Sequence, residues 1–200
     1  MCEGARAKSV PKRLFIALPL PAPAKAELNS LVHALKRSAA GIRWVRPEHV
    51  HVTLKFLGDV EEDRIDPIIQ ALAPISQHSS FWFNLATVGA FPDRESPRVI
   101  WTGIKKGCDE VVSLVGSVES SMEGVGFPRE KRPYSPHITI GRVKEPGDFS
   151  ALWQQVSATP FDSNQIDAHE VLLIHSTLTK TGPIYTELES FSLRGLENKT

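Results

Sequence analysis

Hydrophobic residues along this chain follow two spacings, one typical of strands and one typical of helices. Apolar residues in short runs or at every second position predict β-strands, whereas apolar residues three and four positions apart predict helices. The predicted strands are residues 13–18, 44–45, 50–57, 81–88 and 98–104, the run that begins at His137, and residues 161–168, 170–178 and 184–192. The predicted helices are residues 24–38, 61–73, 109–123 and 148–155.

One tetrapeptide pattern occurs in two of the predicted strands. His51-Val52-Thr53-Leu54 and His137-Ile138-Thr139-Ile140 both consist of histidine, an apolar residue, threonine and a second apolar residue. Because side chains alternate along a strand, the histidine and threonine of each copy share one face, and the aliphatic residues share the other. In the first copy, the buried face is expected to continue to Phe56, and Gly58 is expected to end the strand.

A third His-x-Thr triplet, His175-Ser176-Thr177, limits what the triplet means by itself. Random order would produce about 0.35 such triplets in a chain of this composition. The third copy lacks the apolar residue at its second position. The two framed copies are therefore stronger evidence for a functional site than the triplet alone. A pair of imidazoles can supply one general base and one general acid near neutral pH.

The two framed histidines lie about half the chain apart. A strand, a helix and a His-x-Thr strand recur in each half, which predicts two similar lobes related by approximate two-fold symmetry around a central cleft. The interleaved helices and antiparallel-looking connections indicate an α+β fold, with two mainly antiparallel sheets flanking the cleft and helices on the outside. Residues 1–11 are expected to be a disordered tail, and residues 12–200 a single bilobal domain.

Composition and charge restrict the classes of function. A chain of 200 residues with 41% hydrophobic and 23% charged residues has the composition of an ordinary globular protein. Its formal net charge of zero disfavours extended nucleic-acid binding, so any nucleic acid would be held locally, at an end.

Cysteine usage and hydropathy predict a cytoplasmic protein. Cys2 and Cys108 form no metal motif and indicate reduced thiols of an intracellular protein. No run of residues is long and apolar enough to span a membrane. Residues 14–20 superficially resemble a signal peptide, but Pro19 interrupts them, and a first core strand explains them better.

A metal site is the competing chemistry for a pair of histidines. No carboxylate lies at a useful offset within either motif strand, and neither a His-Glu-x-x-His motif nor a cysteine pair occurs. We therefore expect no metal.

Residues around both motifs resemble a known family. The matching segments are Arg13-Leu-Phe-Ile-Ala17, Trp44-x-x-Pro-Glu-x-x-His51, Leu54-Lys-Phe-Leu-Gly58, Pro136-His-Ile-Thr139 and Arg142. Together with the two motifs, they resemble the two-histidine (2H) phosphoesterase superfamily and, within it, the RNA 2′,3′-cyclic phosphodiesterases, also called 2′-5′ RNA ligases (the LigT/ThpR family). The resemblance extends from about residue 12 to residue 192 and implies a bilobal fold, a central cleft and metal-independent chemistry.

The resemblance implies hydrolysis of a terminal RNA 2′,3′-cyclic phosphate to a 2′-phosphate. By this resemblance, His137 deprotonates the attacking water and His51 protonates the leaving 3′ oxygen. Thr53 and Thr139 would donate hydrogen bonds to phosphate oxygens, and Arg142 would neutralise charge that grows in the transition state. An RNA 5′-hydroxyl in place of water would run the chemistry backwards and form a 2′-5′ bond.

Four further residues are candidates for substrate binding, and each has an ordinary structural alternative. Lys55 shares the His51 face by alternation, so it could meet phosphate or be only a charge at the rim. Phe15 could stack on a base, as the family suggests, or could be a buried aromatic residue of the first strand. Ser176 and Tyr185 are expected at the rim of the site.

Two features depart from the family pattern. Gly141 places Arg142 on the face opposite His137 in a regular strand, so Arg142 reaches the phosphate only if the strand ends or twists there. His175 is not expected from the family, and it alternates away from the residue that follows it.

The basic loop 129–134 is a candidate contact for an RNA end, with an ordinary solvated loop as the alternative.

The resemblance also implies partners. The expected partner is an RNA end that bears a 2′,3′-cyclic phosphate, such as a tRNA half, with no cofactor, no membrane and a monomeric protein. The alternative function is a non-catalytic module that uses the same cleft to bind a nucleotide or a phosphorylated RNA end. Turnover of such an end in the presence of a chelator distinguishes the two.

Overall fold

The computed structural model describes residues 10–180 and 182–195, in which strands and helices are interleaved. The strands are β1 (Lys12–Pro19), β2 (Ile42–Trp44), β3 (His51–Val60), β4 (Phe81–Phe83), β5 (Leu85–Phe91), β6 (Val99–Ile104), β7 (His137–Val143), β8 (Ile166–Ala168), β9 (Glu170–Thr179) and β10 (Gly182–Ser192). The helices are α1 (Ala22–Lys36), α2 (Ile65–Leu72), α3 (Cys108–Gly124) and α4 (Ser150–Ala158). Short 3₁₀ turns lie at Pro47–His49, Glu62–Arg64 and Ala73–Gln77.

The strands form two four-stranded sheets and a small ribbon. Sheet one has the order β10-β9-β1-β3, sheet two has the order β2-β7-β6-β5, and β4 pairs with β8. All of these strand pairs are antiparallel. Each four-stranded sheet contains one motif strand, β3 or β7. The predicted α+β class, with two mainly antiparallel sheets, is therefore confirmed.

The sheets do not follow the two halves of the chain. β2, from the first half, pairs with β7 in sheet two. β9 and β10, near the end of the chain, return to complete sheet one. β1 consequently lies inside sheet one, between β3 and β9, and both ends of the described chain meet in the same sheet.

Each helix buries a stripe of apolar residues against the sheets. In α1, Pro21 and Pro23 fit the helix start because the first turn needs no backbone donor there. The buried residues of this helix are Ala24, Leu28, Leu31 and Leu35. Their spacing is that of one helix face, and the stripes of the helices share one hydrophobic core with the inward faces of both sheets. Within the described residues, no helix is long and apolar enough to cross a membrane.

Several boundaries differ from the prediction because strand pairing is decided by distant residues. β3 continues through Gly58 to Val60, since these residues pair with β1. The predicted strand 81–88 is divided at Asn84, with its first part paired to β8 and its second part to β6. Only the last three residues of the predicted strand 161–168 form a strand. Residues 1–9 of the predicted tail lie outside the described residues.

Candidate active site

The motif strand β3 contains a β-bulge at Leu54. Thr53 pairs with Ala17 of β1, and Lys55 pairs with the neighbouring Ile16, so Leu54 is an extra residue in β3. A bulge adds one residue to one strand and shifts the alternation of side chains beyond it. Lys55 and Phe56 therefore lie on the opposite faces from those that a regular strand would give them, and a second bulge at Leu57 shifts the register again.

This bulge overturns two predictions about the first motif strand. Lys55 is only 4% exposed and lies on the core side of β3, so the expectation that it shares the His51 face is wrong. Its Nζ donates to Glu119 Oε2 at 2.7 Å and to the Pro128 carbonyl at 2.9 Å. Phe56, predicted to be buried, is 64% exposed. Lys55 is thus a buried ion-pair residue and is not available to a phosphate.

The motif strand β7 has the equivalent bulge, at Ile140. The register between β7 and β6 shifts there by one residue. Arg142 therefore lies on the face of β7 that holds His137 and Thr139, although strict alternation would place it on the other face. The bulge supplies the irregularity that Arg142 needs in order to reach the site.

β3 and β7 lie beside each other where the two sheets meet, and their Cα atoms approach within 8 Å. We call the groove between the sheets the cleft; the cleft faces carry His51 in sheet one and His137 in sheet two. Tyr134, in the loop before β7, donates its hydroxyl to the Thr53 backbone carbonyl at 2.7 Å. Burial raises the pKa of the Tyr134 hydroxyl, so it stays a donor. This bond ties the loop that leads to His137 to the strand that carries His51.

Aromatic rings enclose His51 on the cleft face of sheet one. Phe15 stacks on the imidazole with 4.8 Å between ring centroids, and Tyr185 meets it edge-on at 5.5 Å. His51 Nδ1 lies 2.8 Å from the backbone carbonyl of His49. A carbonyl only accepts a hydrogen bond, so Nδ1 carries the proton and Nε2 is left for chemistry. Burial lowers the pKa of His51 to about 4.

His137 makes the same local hydrogen bond in a more open setting. Its Nδ1 lies 2.7 Å from the Ser135 carbonyl, and this bond is exposed, whereas the equivalent bond of His51 is partly buried. The rings of Phe91 and Trp101 meet the His137 imidazole edge-on, at centroid distances of 5.0 Å and 6.4 Å. Both motif histidines therefore have the same tautomer, with Nε2 free of a backbone partner.

Arg142 connects the two histidines electrostatically. Burial lowers the pKa of His137 below its ordinary value, and the charge of Arg142 lowers it further. The same charge contributes to the lowered pKa of His51, and it opposes the rise in pKa that burial causes in Tyr185. This influence agrees with the position of Arg142 on the cleft face of β7, where its charge is placed to attract an anionic phosphate.

The other predicted contacts lie on the same two faces. Thr53 and Thr139 are half-buried, two residues after the histidines. Phe15 is 3% exposed and contacts Tyr185 edge-on at 5.2 Å, so it forms a wall beside His51. Ser176 is buried and pairs directly with Tyr185 across β9 and β10.

One other candidate faces away from the cleft, and one residue of the basic loop is held by a helix. His175 pairs with Leu14, a fully buried core residue, and cross-strand partners share a face, so His175 faces away from the cleft as its alternation predicts. In the loop 129–134, Arg129 donates to Glu123 of α3 at 2.8 Å. The third His-x-Thr triplet thus contributes no imidazole to the cleft.

Sequence reasoning missed three residues that surround the histidines. His49 supplies the carbonyl that orients His51. Phe91 and Trp101 flank His137. Trp101 lies in a predicted strand, where alternation with buried neighbours could have identified it, whereas Phe91 lies between two predicted strands and gave no such signal.

The arrangement as a whole is suited to acid–base chemistry on a small anion. It combines two imidazoles of one tautomer, two threonine side chains and one arginine on facing sheets. Among residues 10–180 and 182–195, no group of three or more His, Cys, Asp or Glu side chains is arranged to hold a metal ion.

The sequence matches one protein family in two segments. The family, described as LigT like Phosphoesterase, matches residues 18–101 and 104–185, and each segment contains one motif histidine. The RNA 2′,3′-cyclic phosphodiesterase of Aquifex aeolicus is 34% identical over 158 residues, which cover 76% of this chain and 82% of that protein. The RNA 2′,3′-cyclic phosphodiesterase of Archaeoglobus fulgidus is 32% identical over 180 residues, which cover 90% of this chain and 99% of that protein.

A solved structure shares the fold. A crystal structure of a protein from Thermus thermophilus superposes with a TM-score of 0.79 at 27% sequence identity, and the alignment covers 92% of this chain and 99% of that chain. The similarity therefore includes both sheets and the cleft between them.

Proposed function

The chain belongs to the LigT-like phosphoesterase family and is a phosphoesterase, and from this premise we propose that it hydrolyses the terminal 2′,3′-cyclic phosphate of RNA to a 2′-phosphate. The observation that carries the proposal is the matched pair of histidines. His51 and His137 each place Nδ1 on a backbone carbonyl two residues earlier, so each leaves Nε2 for proton transfer. Arg142 lies on the same face of β7 as His137.

The reaction moves one proton from water and another to the leaving oxygen. Water attacks phosphorus while His137 accepts its proton at Nε2. The bond between phosphorus and the 3′ oxygen breaks, and His51 donates a proton from Nε2 to that oxygen. The phosphate remains on the 2′ oxygen, and no metal is needed for either transfer.

The charge of the substrate sets the protonation state of the acid. In the ligand-free protein, burial lowers the pKa of both histidines, and that of His51 to about 4. A general acid must carry its proton before it can donate it. A bound phosphodiester brings a negative charge beside both imidazoles, and an opposite charge raises the pKa of each. Substrate binding therefore favours the protonated His51 that the reaction needs.

Three side chains on the cleft faces are assigned to the phosphate itself. Thr53 and Thr139 donate hydrogen bonds from their hydroxyls to the non-bridging oxygens. Arg142 neutralises the charge that develops on these oxygens in the transition state. One threonine comes from each sheet, so the phosphate is held from both sides of the cleft.

The same chemistry supports a second outcome and a class of partner. An RNA 5′-hydroxyl that attacks in place of water forms a 2′-5′ phosphodiester, so we propose ligation as the same displacement with a different nucleophile. Substrates are RNA ends such as those of tRNA halves, because a chain of zero net charge favours binding at an end. We propose a monomer that acts in the cytoplasm, which size-exclusion chromatography and cell fractionation test.

RNA that ends in a 2′,3′-cyclic phosphate tests the hydrolysis directly. The protein is incubated with this RNA in EDTA, and mass spectrometry and ³¹P NMR identify the terminal phosphate. We expect a 2′-phosphate, and we expect His51→Ala and His137→Ala each to lower kcat by about 10²–10⁴-fold. His175→Ala is the matched control, because it removes the imidazole of the third His-x-Thr triplet. This imidazole lies on the opposite face of sheet one.

Three outcomes would contradict parts of the proposal. Loss of turnover in EDTA would contradict metal-independent chemistry. A 3′-phosphate product would contradict the assignment of the leaving oxygen. Tight binding of several such RNA ends without any product would instead support a non-catalytic binding module.

A further inference from the structure

Arg43 lies directly opposite Arg142 in sheet two, where β2 pairs with β7. Cross-strand partners project from the same face of a sheet. Both arginines are exposed. The cleft face of sheet two therefore carries two arginines side by side, although only Arg142 was predicted from the sequence.

The neighbours of Arg43 support this orientation. A methyl group added to Gly141 would lie 2.9 Å from Ile42 Cγ2 and 3.2 Å from Trp44 Cε3, so these two residues cover the core side of Gly141. Arg43 lies between them in β2, and alternation turns its side chain to the other side of the sheet. That side is the cleft face, with Arg142.

A guanidinium is a planar hydrogen-bond donor that matches the oxygens of a phosphate, so two arginines side by side can meet two phosphates. Arg142 shares the cleft face of β7 with His137 and Thr139, so Arg142 is placed for the terminal phosphate. Arg43 lies on β2, which flanks β7 on the side away from β6. It is therefore placed for a second anion beside the terminal phosphate.

Sheet one approaches Arg43 at the start of β10. A methyl group added to Gly182 would lie 3.1 Å from Arg43 Nη2, and the φ of +138° at Gly182 also favours glycine. Tyr185 follows three residues later and contacts His51 at 5.5 Å. The guanidinium of Arg43 thus lies beside the start of β10, the strand that carries Tyr185.

We infer that Arg43 binds the phosphodiester that precedes the terminal cyclic phosphate, and that it selects RNA chains over mononucleotides. Cβ atoms of directly opposite residues are about 4.5–5.5 Å apart, and two long arginine side chains can separate far enough to meet consecutive phosphates of one strand. Arg142 holds the reacting phosphate, and Arg43 holds the next one. This inference rests on the proposed function for the identity of the reacting end.

Matched substrates of one and two nucleotides test the inference. We compare kcat/KM for adenosine 2′,3′-cyclic phosphate with kcat/KM for the dinucleotide ApA that ends in a 2′,3′-cyclic phosphate. The wild-type protein should prefer the dinucleotide, and Arg43→Gln should lower that preference about tenfold while leaving the mononucleotide unchanged. Arg46→Gln is the control, because Arg46 is an exposed arginine outside the strands whose nearest acidic partner, Glu48, is 4.0 Å away.

A second variant and a binding measurement separate the possible outcomes. Arg43→Lys keeps the charge and should keep most of the preference, and thermal melting checks that both Arg43 variants are folded. Equilibrium binding of ApA 2′-phosphate and adenosine 2′-phosphate measures the same preference without turnover. The slope of log binding constant against log salt concentration is negative, and for the dinucleotide it should become less steep by about 0.7 in Arg43→Gln.

Either of two results would overturn the inference: a wild-type protein with no preference for the dinucleotide, or an Arg43→Gln variant that loses the same factor on both substrates. Failure of the proposed function would give a different pattern. Neither substrate would then be converted, while the binding measurement would still report whether Arg43 distinguishes the two ligands.

Discussion

The two motif strands are alike up to their bulges and different immediately after them. In sheet one, the two residues after the bulge are Lys55, which is buried, and Phe56, which is exposed. In sheet two, they are Gly141, which is buried, and Arg142, which is exposed. The same backbone irregularity turns the first of these residues inward and the second outward. Sheet one therefore buries its cation and exposes an aromatic ring, whereas sheet two exposes its cation.

This difference shows that the tetrapeptide alone does not define the site. Both copies place a histidine and a threonine on the cleft, and the residue after the bulge decides what else each sheet offers. Arg142 gives sheet two an anion-binding group, and Phe56, 6.1 Å from Phe15 between ring centroids, extends an aromatic surface on sheet one. The two lobes share a backbone plan and differ in chemistry.

Replacing Lys55, the buried residue after the first bulge, should have the largest effect, and the effect should be on stability. Lys55→Met leaves the buried carboxylate of Glu119 without its cation, which should lower the free energy of unfolding by about 3–5 kcal/mol in urea denaturation. Lys12→Met is the matched control, because it breaks a 2.9 Å pair with Glu62 that is partly exposed and should cost about 0–1 kcal/mol. The double variant Lys55→Met/Glu119→Leu should recover most of the loss, and equal losses in Lys55→Met and Lys12→Met would contradict the interpretation.

Replacing Arg142, the exposed cation after the second bulge, should change activity rather than stability. Arg142→Gln removes the cation that serves the developing charge, and we expect kcat to fall by about 10²–10³-fold. Phe56→Ala alters the corresponding position of sheet one and should change kcat much less. Steady-state kinetics on cyclic-phosphate RNA measure both variants. If the two losses in kcat were equal, the two sheets would not have the distinct roles proposed for them.

The bulges also explain which parts of the site the sequence could predict. Alternation placed His51 and His137 correctly on their faces because both precede the bulges. It failed for Lys55, and it gave the wrong face for Arg142 in a regular strand, because a bulge depends on the register with another strand. That register involves β1 or β6, which are distant in sequence, and no local pattern encodes it.

The fold class was predictable for a related reason. Apolar periodicity and the repeated order of elements are local properties, and they gave the α+β class and most of the helices. The pairing of β2 with β7, and of β9 with β1, is a long-range property that spacing along the chain does not reveal. Arg43 was missed on this account, since its importance depends on the strand opposite it.

Replacing either threonine should lower activity less than replacing Arg142. Thr53→Val and Thr139→Val each remove one hydroxyl at nearly constant shape, and each should lower kcat/KM about tenfold if both hydroxyls donate to the phosphate. The Tyr134 bond is made to the backbone of Thr53, so the valine keeps it. A loss in only one of the two variants would show that the sheets do not hold the phosphate symmetrically.

The pH dependence of kcat/KM and kcat tests the roles of the two histidines without any substitution. The pair is active when it shares one proton, and kcat/KM reports the ligand-free protein. Burial lowers the pKa of His51 to about 4 and that of His137 below 6.5, so kcat/KM should decline as the pH rises above 6.5. Bound phosphate raises both values, so the kcat profile should lie at higher pH. A kcat/KM that rises from pH 7 to 9 would contradict the assignment.

The return of β9 and β10 to sheet one sets the order in which the ribosome can complete this protein. All four strands of sheet two lie before residue 144, whereas sheet one lacks β9 until Thr179 and β10 until Ser192 has been made. His51 is translated early, but Tyr185, which encloses its ring, is translated near the end. A nascent chain released after Val143 and before Tyr185 would carry both histidines without an enclosed site, so the site around the catalytic pair is completed only when β10 has been made.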